Sequence, residues 1–250
     1  MKIPKKITPD RIRDAIVQVF FKSDYPYELL ISYIHKAFID LKYEYIQIQQ
    51  PSPVHPTVNN IEGNIISQPI SVNLSPLFID KDHEVRIQLQ PTMSINFNIA
   101  KKYIGWDKYF EKIKAVLDVL HSNKISISYS RVGLRYVSEF NDMDISNKVK
   151  FNYNTSFPNW EIKGSVTNLR LEEENKTVIL NIALNHPVTN PQNPSLQFVS
   201  LIDVDVIQEY FSTTDLNHFL SIINSCHDKQ KEIFFSLLTP EFLNELKPEY

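Results

Sequence analysis

The chain has 250 residues, of which 42% are hydrophobic and 22% charged, and a formal charge of −3. Such a chain can bury a real core as one domain or two tightly joined halves. Its weak negative charge offers no general field to a polyanion, so neither nucleic acid nor an anionic membrane is expected as a partner. The single cysteine, Cys226, excludes an intrachain disulfide and a multi-cysteine zinc site, and fits a reducing, cytoplasmic setting.

Four glycines against 15 prolines leave few turns able to use positive φ, and the closest pair is Gly105 and Gly133. Phosphate-cradling loops need several glycines close together, so P-loop and dinucleotide-binding motifs are excluded. Lys2, Lys5 and Lys6 read as a solvated tail. The apolar residues behind them are interrupted by Pro4, Pro9, Asp10, Arg11, Arg13 and Asp14, unlike a secretory signal. No segment reaches the roughly 18 apolar residues of a membrane span.

"AIVQVFF" (Ala15 to Phe21) is rich in β-branched and aromatic residues and predicts a strand. Leu29, Leu30, Tyr33, Ile34, Ala37, Phe38 and Leu41 recur with helical period and predict an amphipathic helix. "YEYIQIQ" alternates as a strand, and Pro51, Pro53 and Pro56 then predict a loop. "PLFID", "EVRIQLQP" and "MSINFNI" follow as a meander, with Val85, Ile87 and Leu89 on one face and Arg86, Gln88 and Gln90 on the other.

Trp106, Tyr109, Phe110, Ile113, Val116, Leu117 and Leu120 trace a second helix ending near Asn123, with Phe110 expected in the core. In the following strand the apolar side runs through Ile125, Ile127 and Tyr129 and then through Val132, Leu134, Tyr136 and Phe140. A phase slip of one residue is what a β-bulge inserts. Gly133, just past it, suits a bend, a positive φ or a close backbone approach, and is expected to resist substitution.

Beyond Trp160 a hairpin is predicted with "EEENK" at its tip, where Glu172, Glu173 and Glu174 keep the turn solvated. Pro187, Pro191 and Pro194 predict a second loop, and "LQFVSLIDVDVI" another strand. Thr213 or Thr214 is expected to cap a long helix, and Thr239 followed by Pro240 a short last one. Meanders with few long helices give a two-layer α+β fold: a largely antiparallel sheet with helices on one face. The two halves, 1–140 and 141–250, read as loosely similar and joined in one compact unit.

Together, "AIVQVFF", "RIQLQPTMSINF" running into "YIGWDKYFEKI", "GLRYVSEF", "LIDVDV" and "FFSLLTPEFLNEL" resemble a sporadically distributed family of bacterial proteins of about this length, over nearly the whole chain. That resemblance implies an accessory gene, with defence among its settings, and no particular chemistry.

Cys226, His227 and Asp228 are consecutive, but neighbours on a helix project about 100° apart and cannot converge on one atom. Cys226 is expected as a buried structural residue. The seven histidines lack the spacing of a zinc site and read as surface or loop residues. Asp203 and Asp205 lie two apart on a strand and share a face, which is half of a Mg²⁺ or Mn²⁺ site or simply a wet strand face. Arg131 and Arg135 flank Gly133 on the less apolar face, as an anion cradle or as partners in cross-strand ion pairs. No catalytic residue, metal ligand or cofactor is assigned. The expected function is non-catalytic binding of another protein; the alternative is a metal-dependent phosphoester hydrolase using Asp203 and Asp205.

Overall fold

A computed structural model describes residues 2–50, 73–122, 127–141, 143–150, 164–190, 193–209 and 211–250. In chain order the elements are β1 (Ile12–Ser23), α1 (Tyr27–Asp40), β2 (Tyr43–Gln50), β3 (Asn73–Asp80), β4 (Val85–Gln90), β5 (Ser94–Ile99), α2 (Trp106–Ser122), β6 (Ile127–Phe140), β7 (Ser165–Glu173), β8 (Lys176–Asn190), β9 (Asn193–Gln208), α3 (Leu216–Leu237) and α4 (Pro240–Glu245). The strands form one nine-stranded antiparallel sheet in the order β2-β3-β4-β5-β1-β6-β9-β8-β7, with the helices on one face. This is the α+β architecture read from the sequence. The strands before residue 141 meet the later ones where β6 pairs with β9.

Alternation decides the faces. Ala15, Val17 and Val19 of β1, Val85, Ile87 and Leu89 of β4, Ile95 and Phe97 of β5, Leu134 and Tyr136 of β6, and Ile202, Val204 and Val206 of β9 are buried beneath the helices. The opposite face carries Gln18, Asn96, Asn98, Arg131, Arg135 and Asp205. Among the described residues no helix covers it.

The predicted bulge is present. Phe20 pairs with Arg131 but Phe21 with Tyr129, so Ser130 is the extra residue and the core side changes from odd to even numbers there. The hairpin of β7 and β8 turns at Glu173 and Lys176. The first proline loop and Ile125 lie outside the described residues.

Several expectations are corrected. Tyr109 is fully buried and Phe110 only half-buried, because the buried stripe of α2 runs through Tyr109, Ile113, Val116, Leu117 and Leu120. The Tyr109 hydroxyl donates to the carbonyl oxygen of Phe97 at 2.7 Å and lies 3.3 Å from that of Ala15, tying the helix to two adjacent strands. Pro187 belongs to a strand, paired with Phe198 just beyond a bulge between Ala183 and His186, where a missing N–H is tolerated; Pro194 falls within β9, and Pro191 lies outside the described residues.

Asp215, not either threonine, caps α3: its Oδ1 accepts from the N–H groups of Asn217 (2.9 Å) and His218 (3.2 Å). Thr213 is held instead by backbone hydrogen bonds to Tyr129. Thr239 does cap α4, accepting from Phe242 N–H with Pro240 in the first turn. The basic N-terminus is not a free tail, since Lys6 bridges Glu249 through its backbone and through its side chain at 3.0 Å.

Candidate binding site

The open face has a cleft of about 220 Å³ lined by Ile16, Gln18, Asn96, Asn98, Arg131, Gly133, Arg135 and Asp205. Its floor follows from the register: Asn96 pairs with Gln18, and Gln18 with Gly133, across β5, β1 and β6. Glycine at the centre is what leaves the hollow. A Cβ on Gly133 would stand 3.8 Å from Oδ1 of Asp205 and 4.0 Å from Cβ of Gln18, in space that the neighbours leave open.

Three of the four residues singled out in the sequence line this cleft, and Asp203 joins them through Arg135. The guanidinium of Arg135 grips Asp203 with two hydrogen bonds, Nε to Oδ1 at 2.9 Å and a terminal nitrogen to Oδ2 at 2.8 Å. Asn181 donates to the same Oδ2 at 3.0 Å. The hydrogen bonds it donates to Asp203, with that residue's charge, hold the Arg135 guanidinium above its ordinary range despite partial burial. Arg131 lies 3.6 Å from Glu209 and stands over the ring of Phe20, 4.6 Å from its centre. Both arginines therefore make the ion pairs that were one of their two readings.

Asp205 differs from Asp203. Among the described residues it has no hydrogen bond or ion pair, and burial pushes its carboxyl above the ordinary range, with Arg135 opposing and Asp203 reinforcing. Asn96 carries a second unmet need, because its Oδ1 is closed from solvent and has no hydrogen-bond donor. Gln18, Asn96 and Asn98 were not picked out from the sequence. The available signal was amide side chains at outward positions of two strands, Gln18 on β1 and Asn96 and Asn98 on β5.

Gly133 is not in the left-handed region, and nothing crowds its missing Cβ, so the expected backbone requirement does not hold there. The glycine that a close approach does require is Gly164, whose Cβ would fall 2.7 Å from the carbonyl oxygen of Asn185. Gly133→Ala is accordingly expected to stay within about 1 kcal/mol of the parent. Gly164→Ala should cost about 1–3 kcal/mol as backbone shifts. Urea midpoints measured side by side check this, and the reverse order contradicts it.

Two other clusters are accounted for structurally. The carboxylates of Asp80, Asp82 and Glu84 lie within 4.8 Å of one another. Lys112 occupies their centre, donating to Asp80 and lying 3.7 Å from Asp82 and 3.3 Å from Glu84. Burial disfavours the Asp80 carboxylate, yet the hydrogen bonds from Lys112 and from the N–H groups of Val85 and Glu84 outweigh it and hold its pKa below the usual range. Cys226 is buried as expected and its thiol is pushed up to about 12 by burial. His227 is a correction: it is buried, stacked on Trp106 with ring centres 4.0 Å apart. Asp228 points to solvent, so the three consecutive residues do not converge.

No protein-family model and no curated protein matches the chain.

Proposed function

We propose that the protein is a non-catalytic interaction module that holds a partner protein against the open face of its sheet, with the cleft around Gly133 receiving a side chain of that partner. The observation that carries this reading is a solvent-reached hollow on four central strands, β5, β1, β6 and β9, lined by the carboxylate of Asp205, which has no hydrogen bond among the described residues. Its volume of about 220 Å³ falls below the roughly 300–1,000 Å³ typical of small-molecule sites, and suits one side chain better than a cofactor. The setting that goes with this reading is the bacterial cytoplasm, in an accessory or defence-related system. Among the described residues no helix is long and apolar enough to cross a membrane.

The hydrolase alternative has less behind it. A metal at Asp203 and Asp205 needs free lone pairs, and both oxygens of Asp203 already accept hydrogen bonds, from Arg135 and Asn181. No third carboxylate, histidine or cysteine among the described residues groups with them.

Affinity capture from the native host, comparing the parent with Gly133→Leu, tests the proposal. The expected result is a stoichiometric protein partner retained by the parent and lost from a variant that still folds. Capture unaffected by a filled cleft argues against it. Saturable micromolar Mn²⁺ binding that disappears in Asp203→Asn would favour the hydrolase.

A further inference from the structure

The group that fits the cleft follows from what its lining leaves unmatched, a step that rests on the cleft being a receptacle for a partner. Arg135 is neutralised by Asp203, and Arg131 faces Glu209 and the ring of Phe20. Once those pairs are set aside, the remaining formal charge is the carboxylate of Asp205. Oδ1 of Asn96 also lacks a donor, but it is closed from solvent and out of a guest's reach. What a guest meets is an acceptor.

Its placement follows from the register. Asp205 stands opposite Arg135 on β9, and its Oδ1 leans over Gly133 at the centre of the hollow. A carboxylate without a hydrogen-bond partner there is satisfied by a donor that the guest brings. An anion would add acceptors and be repelled by Asp205.

We propose that the cleft takes a primary ammonium group, the end of a lysine side chain on the partner polypeptide, with Asp205 supplying the countercharge. An ammonium is compact and offers three donors, so amide oxygens of Gln18 or Asn98, which line the same cleft, can take the others. Ile16 gives the methylene stem an apolar wall. A guanidinium is wider and planar, and would have to enter between the forks of Arg131 and Arg135, which border the same opening.

The test uses NMR titration of the full chain, reading the side-chain amide signals of Asn96 and Asn98 and the backbone signal of Gly133. The probes are acetyl-Gly-Lys-Gly-amide, the same peptide with glutamate or norleucine in place of lysine, and n-butylammonium. The lysine peptide is expected to shift these signals saturably, with a dissociation constant of about a millimolar. Norleucine should bind at least about tenfold more weakly, as should the lysine peptide to Asp205→Asn, whose melting temperature at or above the parental value shows that it folds. Binding of the glutamate peptide instead of lysine, or an equal response to norleucine, overturns the assignment. Butylammonium binding as tightly as the peptide overturns the polypeptide source. If Gly133→Leu abolishes capture of a protein partner while the lysine peptide leaves all three signals unmoved, the ammonium assignment falls and the interaction reading stands.

Discussion

Tyr109→Ala is expected to lower the unfolding free energy by about 3–5 kcal/mol, the usual penalty for deleting a fully buried aromatic ring. The ring is completely shielded and packs edge-on to Tyr103 and Trp106, at 6.5 and 6.2 Å between centres. Its hydroxyl ties α2 to the middle of the sheet, donating to Phe97 of β5 beside Ala15 of β1. Tyr109→Phe isolates that hydrogen bond and should cost about 1 kcal/mol. Phe110→Ala should cost less than Tyr109→Ala, because Phe110 sits at the rim of the core against Trp106. Urea denaturation of the three variants measures the order, and a Phe110 variant weaker than the Tyr109 one would mean that α2 presents a different face.

Acidification is expected to destabilise the protein from about pH 6.5 downward, through His227. Burial, with help from the charge of Lys231, drives the imidazole pKa down to about 3 from 6.5. Above pH 6.5 both folded and unfolded chains hold it neutral, and it makes no difference. Below that, the unfolded chain takes up a proton that the folded protein refuses until near pH 3. The unfolded state then binds more protons, and stability falls by about 1.4 kcal/mol per pH unit.

Two carboxylates act in opposite senses. The lowered pKa of Asp80 makes its contribution one that is present above the unfolded value of 3.8 and lost as pH falls through the folded one. Asp205, with its raised pKa, acts in the opposite sense, gaining as pH falls towards 3.8. Unfolding free energies at pH 7, 6 and 5 in the parent and in His227→Phe, which keeps a ring on Trp106, isolate the effect. The slope should be present in the parent and absent from the variant. Equal slopes would place the titrating group elsewhere.

Much of the fold was legible because burial imposes its period on the sequence. The slip between Tyr129 and Val132 announced the bulge that the register places at Ser130, since each core position of β6 must face the helices. Adjacent residues at the margin of a stripe are another matter. Tyr109 and Phe110 are 100° apart on a helix and both aromatic, so only the packed sheet chooses between them. The site was half legible. Arg131, Gly133, Arg135, Asp203 and Asp205 share strand faces by alternation, but that Arg135 grips Asp203, 68 residues away, depends on β6 lying beside β9. Gln18, Asn96 and Asn98 join them only because β1 runs between β5 and β6, an order that no local pattern encodes.

The central claim, that the partner is held on the open face at the cleft, is tested most directly by photo-crosslinking in the native host. Benzoylphenylalanine replaces Arg86, which is exposed and shares a row of the sheet with Asn98, Ile16 and Arg135, or Lys36, exposed on the helical side. A discrete protein adduct from position 86, absent from position 36 and abolished when Gly133→Leu is added, is the predicted result. An adduct from position 36 but not from 86, or one that persists with the cleft filled, would contradict it.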